Sequence, residues 1–130
     1  MKKKEKELEE SRRLFESIFN DPSMFVGILD LEGNLVRANR TALEFINKPM
    51  KEVKDRSFHE TPWWGHSEDM QKKVRHSVDE VKEGDVVNFE ATNQNGEGDE
   101  VKVDFSLILI LGVNDEVIKL LAYGKDVEYN

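Results

Sequence analysis

From Val86 onward apolar and polar residues alternate, and a period of two predicts a strand with Val87, Phe89 and Ala91 on one face and Asn88, Glu90 and Thr92 on the other. Asn93 to Gly98 reads as a turn. Val101 to Leu111 resumes the alternation, with Val101, Val103, Phe105, Leu107 and Leu109 against Lys102, Asp104 and Ser106. Beyond Leu107 both faces are apolar, so the second face calls for a cover, either the N-terminal helix or a partner subunit. Gly112 to Asp115 turns the chain into a last strand, Val117 to Tyr123.

Earlier in the chain the spacing is helical at three places. Residues 3 to 19 carry apolar positions at Leu8, Leu14, Phe15 and Ile18, and Leu8, Phe15 and Ile18 share a heptad-like seam. This stretch reads either as a solvated amphipathic helix whose last turn packs on the domain or as the end of a dimeric signalling helix. Asn20-Asp21-Pro22 ends it, because the residue before proline is pushed out of helical geometry. Phe25 to Leu29 and Leu35 to Ala38 are β-rich runs joined by Asp30-Leu31-Glu32-Gly33-Asn34, where Gly33 or Asn34 can take positive φ. Asn39 stands as the N-cap of a short helix, Arg40 to Ile46, which Asn47-Lys48-Pro49 stops. Met50 to Glu60 has room for one or two single-turn helices. Ser67 caps the longest internal helix, in which Met70, Val74, Val78 and Val81 form the apolar stripe and Glu68 and Asp69 complement the dipole; Gly84-Asp85 closes it.

The predicted order is helix, two strands, short helices, a longer helix and three strands. That is an α+β arrangement, an antiparallel sheet with helices on one face. Three segments then resemble a known family, the PAS domain, a sensory module of histidine kinases and related signalling regulators. They are the strand–turn–strand–helix of residues 28 to 43 with its Asp-x-x-Gly and Asn-x-x-Ala, the stretch Glu60-Thr61-Pro62-Trp63-Trp64, and Tyr123-Gly124-Lys125-Asp126-Val127. The resemblance covers about residues 20 to 127. It implies the PAS fold with strand order 2-1-5-4-3, and divides the chain into a flanking helix, 1–19, and a PAS domain, 20–130. It also implies that Asp126 stands where the domain hands over to an output helix, which makes it the candidate for signal transmission. Glu128 departs from the threonine usual there. The chain is expected to be the sensor part of a larger regulator, a sensor histidine kinase, with any kinase activity outside these residues.

Composition narrows the function further. A formal net charge of −8 argues against a nucleic-acid surface, which must neutralise phosphates with clustered Lys and Arg. No cysteine is present, which removes thiolate metal sites, cysteine nucleophiles and flavin photosensors of the cysteine-adduct type, and suits a reducing, cytoplasmic setting. No apolar run approaches the length that spans a bilayer, so no direct membrane insertion is expected, although a parent protein can be anchored elsewhere.

Trp63 and Trp64 are the only tryptophans. They read either as core filling beneath the middle helix or as the lid of an internal pocket, where an aromatic edge can meet a planar ligand. Phe89, Phe105 and Leu107, on the inward face of the last strands, read as pocket floor or as plain core. Asn39 is a structural cap. His76 lies roughly opposite the apolar stripe of its helix and is expected to face solvent, against a haem role; His59 and His66 have no third ligand in register for zinc. Non-covalent flavin rests only on the supply of aromatic residues. The cofactor is left unknown, with none as the leading expectation. Three functions follow: a sensory module that binds a small ligand and relays through its flanking helices, as a homodimer formed by the N-terminal helix and the outer sheet face; a ligand-free PAS dimerisation spacer; and a small-pocket, isomerase-like enzyme needing a buried acid or histidine, for which Asp104 is the one strand acid in an apolar run and points away.

Overall fold

The computed structural model describes residues 2–127, so Glu128 lies outside the described residues. Helix α1 spans Lys2–Phe19, strands β1 and β2 span Phe25–Leu29 and Leu35–Ala38, and α2 spans Arg40–Ile46. Three single 3-10 turns follow at Met50–Glu52, Phe58–Glu60 and Pro62–Trp64, then α3 at Glu68–Lys82 and strands β3, Val87–Gln94, β4, Glu100–Leu111, and β5, Val117–Asp126. The strands form one antiparallel sheet in the order β2-β1-β5-β4-β3.

Local chemistry sets the boundaries. Gly33 turns the β1–β2 hairpin at φ 86°, and its amide donates to the Asp30 carbonyl at 3.1 Å. Burial pushes the Asp30 carboxyl up, but hydrogen bonds from the Asn34 amide and side chain and from the Glu32 amide outweigh it and hold the group below its ordinary value. Ser67 Oγ accepts from the Met70 amide at 3.2 Å and starts α3, while Asn47, left-handed at φ 55°, ends α2. The alternation of β3 runs two residues past Thr92, so the turn to β4 begins at Asn95 rather than Asn93. Strand β5 likewise continues past Tyr123 to Asp126.

The core lies between one face of the sheet and the layer of α2, the 3-10 turns and α3. Leu29, Leu35, Ile46, Val53, Trp64, Val74, Val103, Leu107 and Leu120 are all but inaccessible there. Val74, Val78 and Val81 carry the stripe of α3 into this core, with Ser77 completing the buried face.

Helix α1 meets the rest of the chain through its C-terminal end. Phe19 is buried, and the Arg37 guanidinium lies 4.4 Å from its ring centre while donating to both Glu16 carboxylate oxygens at 3.0 and 2.8 Å. Leu8, Leu14, Phe15 and Ile18 remain exposed. Arg37 ends a row that crosses the outer face of the sheet through Ile28, Leu121 and Ile108. The helix touches this row at the Arg37 end and leaves Ile108 42% exposed, so within one chain α1 does not cover the second face of β4.

Candidate functional site

The site is built from the 3-10 turns between α2 and α3. Pro62 opens the turn that carries both tryptophans, and the fully buried Thr61 before it donates its hydroxyl to the Phe58 carbonyl at 2.6 Å, locking the two turns together. Trp63 is fixed from both sides: its Nε1 donates to the Ala42 carbonyl of α2 at 3.1 Å, and its own carbonyl accepts from Asn93 Nδ2 of β3 at 3.3 Å. Trp64 meets Phe58 and Phe105 edge to face, with ring centres 5.7 and 5.3 Å away. Its Nε1 is buried and has no partner among the described residues.

These rings border a cavity of about 30 Å³ against the sheet, room for one or two water molecules. The space exists because the sheet residues beneath it are small. Gly27 on β1 pairs with Ala122 on β5, and Gly124 on β5 pairs with Phe25 and Phe105 on its two sides, so little side chain rises from the middle of the floor. Among the residues singled out by sequence, Trp63, Trp64 and Phe105 line the cavity. Phe89 and Leu107 do not. Phe89 pairs with Phe105 but sits one strand further out, on edge strand β3, where its ring lies 5.3 Å from that of Phe105 and takes the Lys73 ammonium at 4.3 Å. Leu107 pairs with Val87 and Ala122 and fills solid core.

Phe58 and Asn93 also line the cavity, beyond the residues that the sequence singles out. Asn93 carried a legible signal, since it continues the inward series Val87, Phe89, Ala91 as the first polar member. Phe58 carried none beyond its place one turn ahead of the tryptophans.

Asn39 does far more than cap α2. Its Oδ1 accepts from the amides of Ala42 at 2.9 Å and Val26 at 3.2 Å, and its Nδ2 donates to the carbonyls of Phe19 and Met24, both at 2.8 Å. One fully buried side chain therefore joins the end of α1, the start of β1 and the start of α2. Asp126 closes β5 opposite Val103 and borders a surface groove with Pro22, Ser23, Phe25, Thr41, Gly124 and Lys125. Phe25 and Gly124 belong to both the groove and the inner cavity. In the same loop the Ser23 amide and hydroxyl both donate to the Asp21 carboxylate and hold it below its ordinary value.

The family model for the PAS fold matches residues 19–128. The chain belongs to the PAS family. It is 30% identical over 128 residues to the sensor histidine kinase TmoS of Ectopseudomonas mendocina, covering 95% of this chain but 13% of that kinase. Among solved structures, the PAS domain of an HTR-like protein from Haloarcula marismortui superposes with a TM-score of 0.75 at 20% identity, over 98% of this chain and 100% of that one. The PAS domain of the RpfR quorum-sensing receptor of Cronobacter turicensis, in complex with BDSF, gives 0.65 at 21% identity over 81% and 94%.

Within this PAS domain the haem and flavin options meet unsuitable residues. His76 projects from α3 into solvent with its side chain 76% exposed, and its Nε2 lies 3.7 Å from Glu80 rather than near the cavity. A flavin ring system far exceeds the cavity and would require the Trp64, Phe58 and Phe105 cluster to come apart. His59 pairs with Glu60, His66 Nε2 lies 2.7 Å from Thr92 Oγ1, and among the described residues no group of three or more His, Asp or Glu could hold a metal ion. The cavity wall contains no carboxylate, histidine or lysine, and Asp104 is exposed on the outer face, accepting from Asn88 Nδ2 at 2.8 Å. Among the described residues no helix is long and apolar enough to cross a membrane.

Proposed function

We propose that this PAS domain is the sensory module of a larger signalling protein of the histidine kinase type, and that it binds a small molecule in the cavity beneath Trp63 and Trp64. The observation that carries this reading is the shared wall. Phe25 and Gly124 face the cavity on one side and, on the other, the groove where the chain leaving α1 meets the end of β5 at Asp126. A molecule that displaces either residue acts directly on the junction between incoming and outgoing segments. Such a relay requires the ligand to favour one arrangement of that junction over another. The RpfR neighbour, solved with a bound molecule, supports ligand capture as a use of this fold.

The relay works through a homodimer. The exposed Leu8, Leu14, Phe15 and Ile18 of α1 and the row Ile28, Leu121 and Ile108 of the outer sheet face together offer an apolar surface to a second copy.

A second reading draws on the size of the cavity. At about 30 Å³ the space left within the aromatic cluster is small, which suits a ligand-free dimerisation spacer. Native mass spectrometry of the purified chain, with mass analysis of what it releases on denaturation, separates the two. A stoichiometric small molecule released from the wild-type chain supports the sensor. A chain that releases nothing and whose cavity residues respond to no small-molecule probe in NMR titrations is the spacer.

A further inference from the structure

We propose that the cavity takes a small uncharged molecule, mostly hydrocarbon, that presents one hydrogen-bond acceptor to the indole N–H of Trp64; this rests on the ligand-sensing reading above. The two indoles are in contrasting states. Trp63 Nε1 is satisfied by the Ala42 carbonyl at 3.1 Å, whereas Trp64, only 1% exposed and lining the cavity, has a buried Nε1 without a partner among the described residues. A buried donor left unpaired is costly, and native interiors rarely keep one without a use. The cavity that Trp64 lines has room for a water molecule in the free protein. A ligand that expels that water has to supply the acceptor in its place, or the N–H is stranded in an apolar wall.

The rest of the lining fixes the class. It contains no Asp, Glu, Lys, Arg or His, so a charged ligand would lose its hydration with no counter-charge in return. Its walls are hydrocarbon and aromatic, with Asn93 as the one side-chain amide and Tyr123 as the one phenol. The Nδ2 of Asn93 donates to the carbonyls of Trp63 and Thr92, which leaves Oδ1 as what it can offer a ligand. A carbonyl, ether or hydroxyl oxygen on a compact apolar body satisfies the Trp64 donor, and a hydroxyl would serve Asn93 Oδ1 as well. A pure hydrocarbon does not, because it satisfies the walls and strands the donor.

The test compares two liquids of nearly equal shape, 2-butanone and 2-methyl-1-butene, which differ in a carbonyl oxygen against a methylene; each is larger than the one or two waters the resting cavity holds, so entry has to spread the rings of Trp64, Phe58 and Phe105 slightly. Both are titrated into the whole chain while the two indole N–H resonances are followed by NMR, with Trp64→Phe identifying the Trp64 signal and removing the donor. The ketone is expected to move the Trp64 indole resonance and to bind about tenfold more tightly than the alkene. That preference disappears in Trp64→Phe. The wild-type comparison stands without the variant, should Trp64→Phe fold poorly. Equal binding of the two liquids to the wild-type chain overturns the acceptor inference and leaves the cavity as a ligand site. If neither liquid moves any resonance of Trp63, Trp64 or Phe105, the inference falls, and the ligand-sensing reading falls with it only where the chain also releases nothing on denaturation.

Discussion

Asn39 donates its side-chain amide to the carbonyl of Phe19 at 2.8 Å, a bond across 20 residues that fastens the last turn of α1 to the corner between β2 and α2. Replacing Asn39 by alanine removes the cap and also strands the Val26 amide and the Phe19 and Met24 carbonyls. The expected loss is roughly 2–4 kcal/mol, above an ordinary cap deletion because each stranded group adds its own desolvation. Asn39→Asp keeps the acceptor but sets a second carboxylate oxygen against the Phe19 and Met24 carbonyls in a buried site, and should cost at least as much. Urea denaturation of the three proteins measures this, and a loss of no more than a simple cap for Asn39→Ala would mean that the long-range bonds contribute little.

Gly96 and Gly98 share one hairpin turn, yet they differ in why glycine is needed. Gly98 has φ +90°, a conformation that suits glycine. At Gly96 the reason is proximity: a Cβ there would lie 2.7 Å from the Ile46 carbonyl oxygen, because the Gly96 amide donates to the Phe45 carbonyl at 2.9 Å and draws the turn against the end of α2. Gly96→Ala should therefore destabilise by about 1–3 kcal/mol and release this contact, since backbone cannot yield as a flexible side chain can. Hydrogen exchange at the Gly96 amide reads the release directly; unchanged protection would show that the turn shifts as a body without losing its bond.

Much of this architecture is legible along the chain, and what is not has a common cause. Both strands of the first hairpin, helix α2 and the stripe of α3 follow from period, turn residues and caps, which are local. Asn39 was readable as a cap because Ala42 is three residues away, but its bonds to Phe19, Met24 and Val26 go to backbone groups that no periodicity reports. Gly96 falls to the same limit. At the site, Trp63 and Trp64 stood out by type, and Phe105 by alternation. Alternation identifies the face of a strand and not its position along the row, so Phe89 and Leu107 share the inward face and still miss the cavity.

Acid should loosen α1. The Arg37 hydrogen bonds to Glu16 hold its carboxyl below the ordinary value, and those from Ser23 do the same for Asp21 in the following loop. A carboxyl whose pKa is lower in the folded chain than in the unfolded one contributes stability that is complete above the unfolded value. That stability is lost as the pH falls through the folded one. The docking of α1 is thus constant near neutrality and weakens below about pH 4. Amide exchange in residues 15 to 19, followed against pH, measures it. In Glu16→Gln the docking should be weaker at neutral pH and its acid dependence flatter; the same profile in both proteins would remove Glu16 from the explanation.

The apolar row on the outer face predicts a clean separation of assembly from stability. Ile108 is already 42% exposed, so Ile108→Glu should change the melting temperature little while breaking a dimer that uses this face. Removing residues 1 to 17 should likewise change the oligomeric state, because it takes away Leu8, Leu14 and Phe15. Light scattering coupled to size exclusion gives the masses. An unchanged mass in both proteins would count against α1 and the sheet face as the interface.

Phe25 tests the relay itself. Its ring centre is 4.7 Å from that of Phe45, and it separates the cavity from the groove lined by Ser23, Thr41, Lys125 and Asp126. Phe25→Ala should cost about 3 kcal/mol or somewhat less, since the ring is only partly buried. Its diagnostic effect is on coupling. With 2-butanone as the probe, the wild-type chain should show NMR shifts both at Trp64 and at the groove amides, as expected if occupancy displaces the shared wall. In Phe25→Ala the shifts at Trp64 should persist while those at Ser23, Thr41, Lys125 and Asp126 fade, and Phe25→Leu should restore part of them. Groove shifts of full size in Phe25→Ala would mean that the junction senses the cavity through the backbone at Gly124, the other residue common to both, and not through the ring.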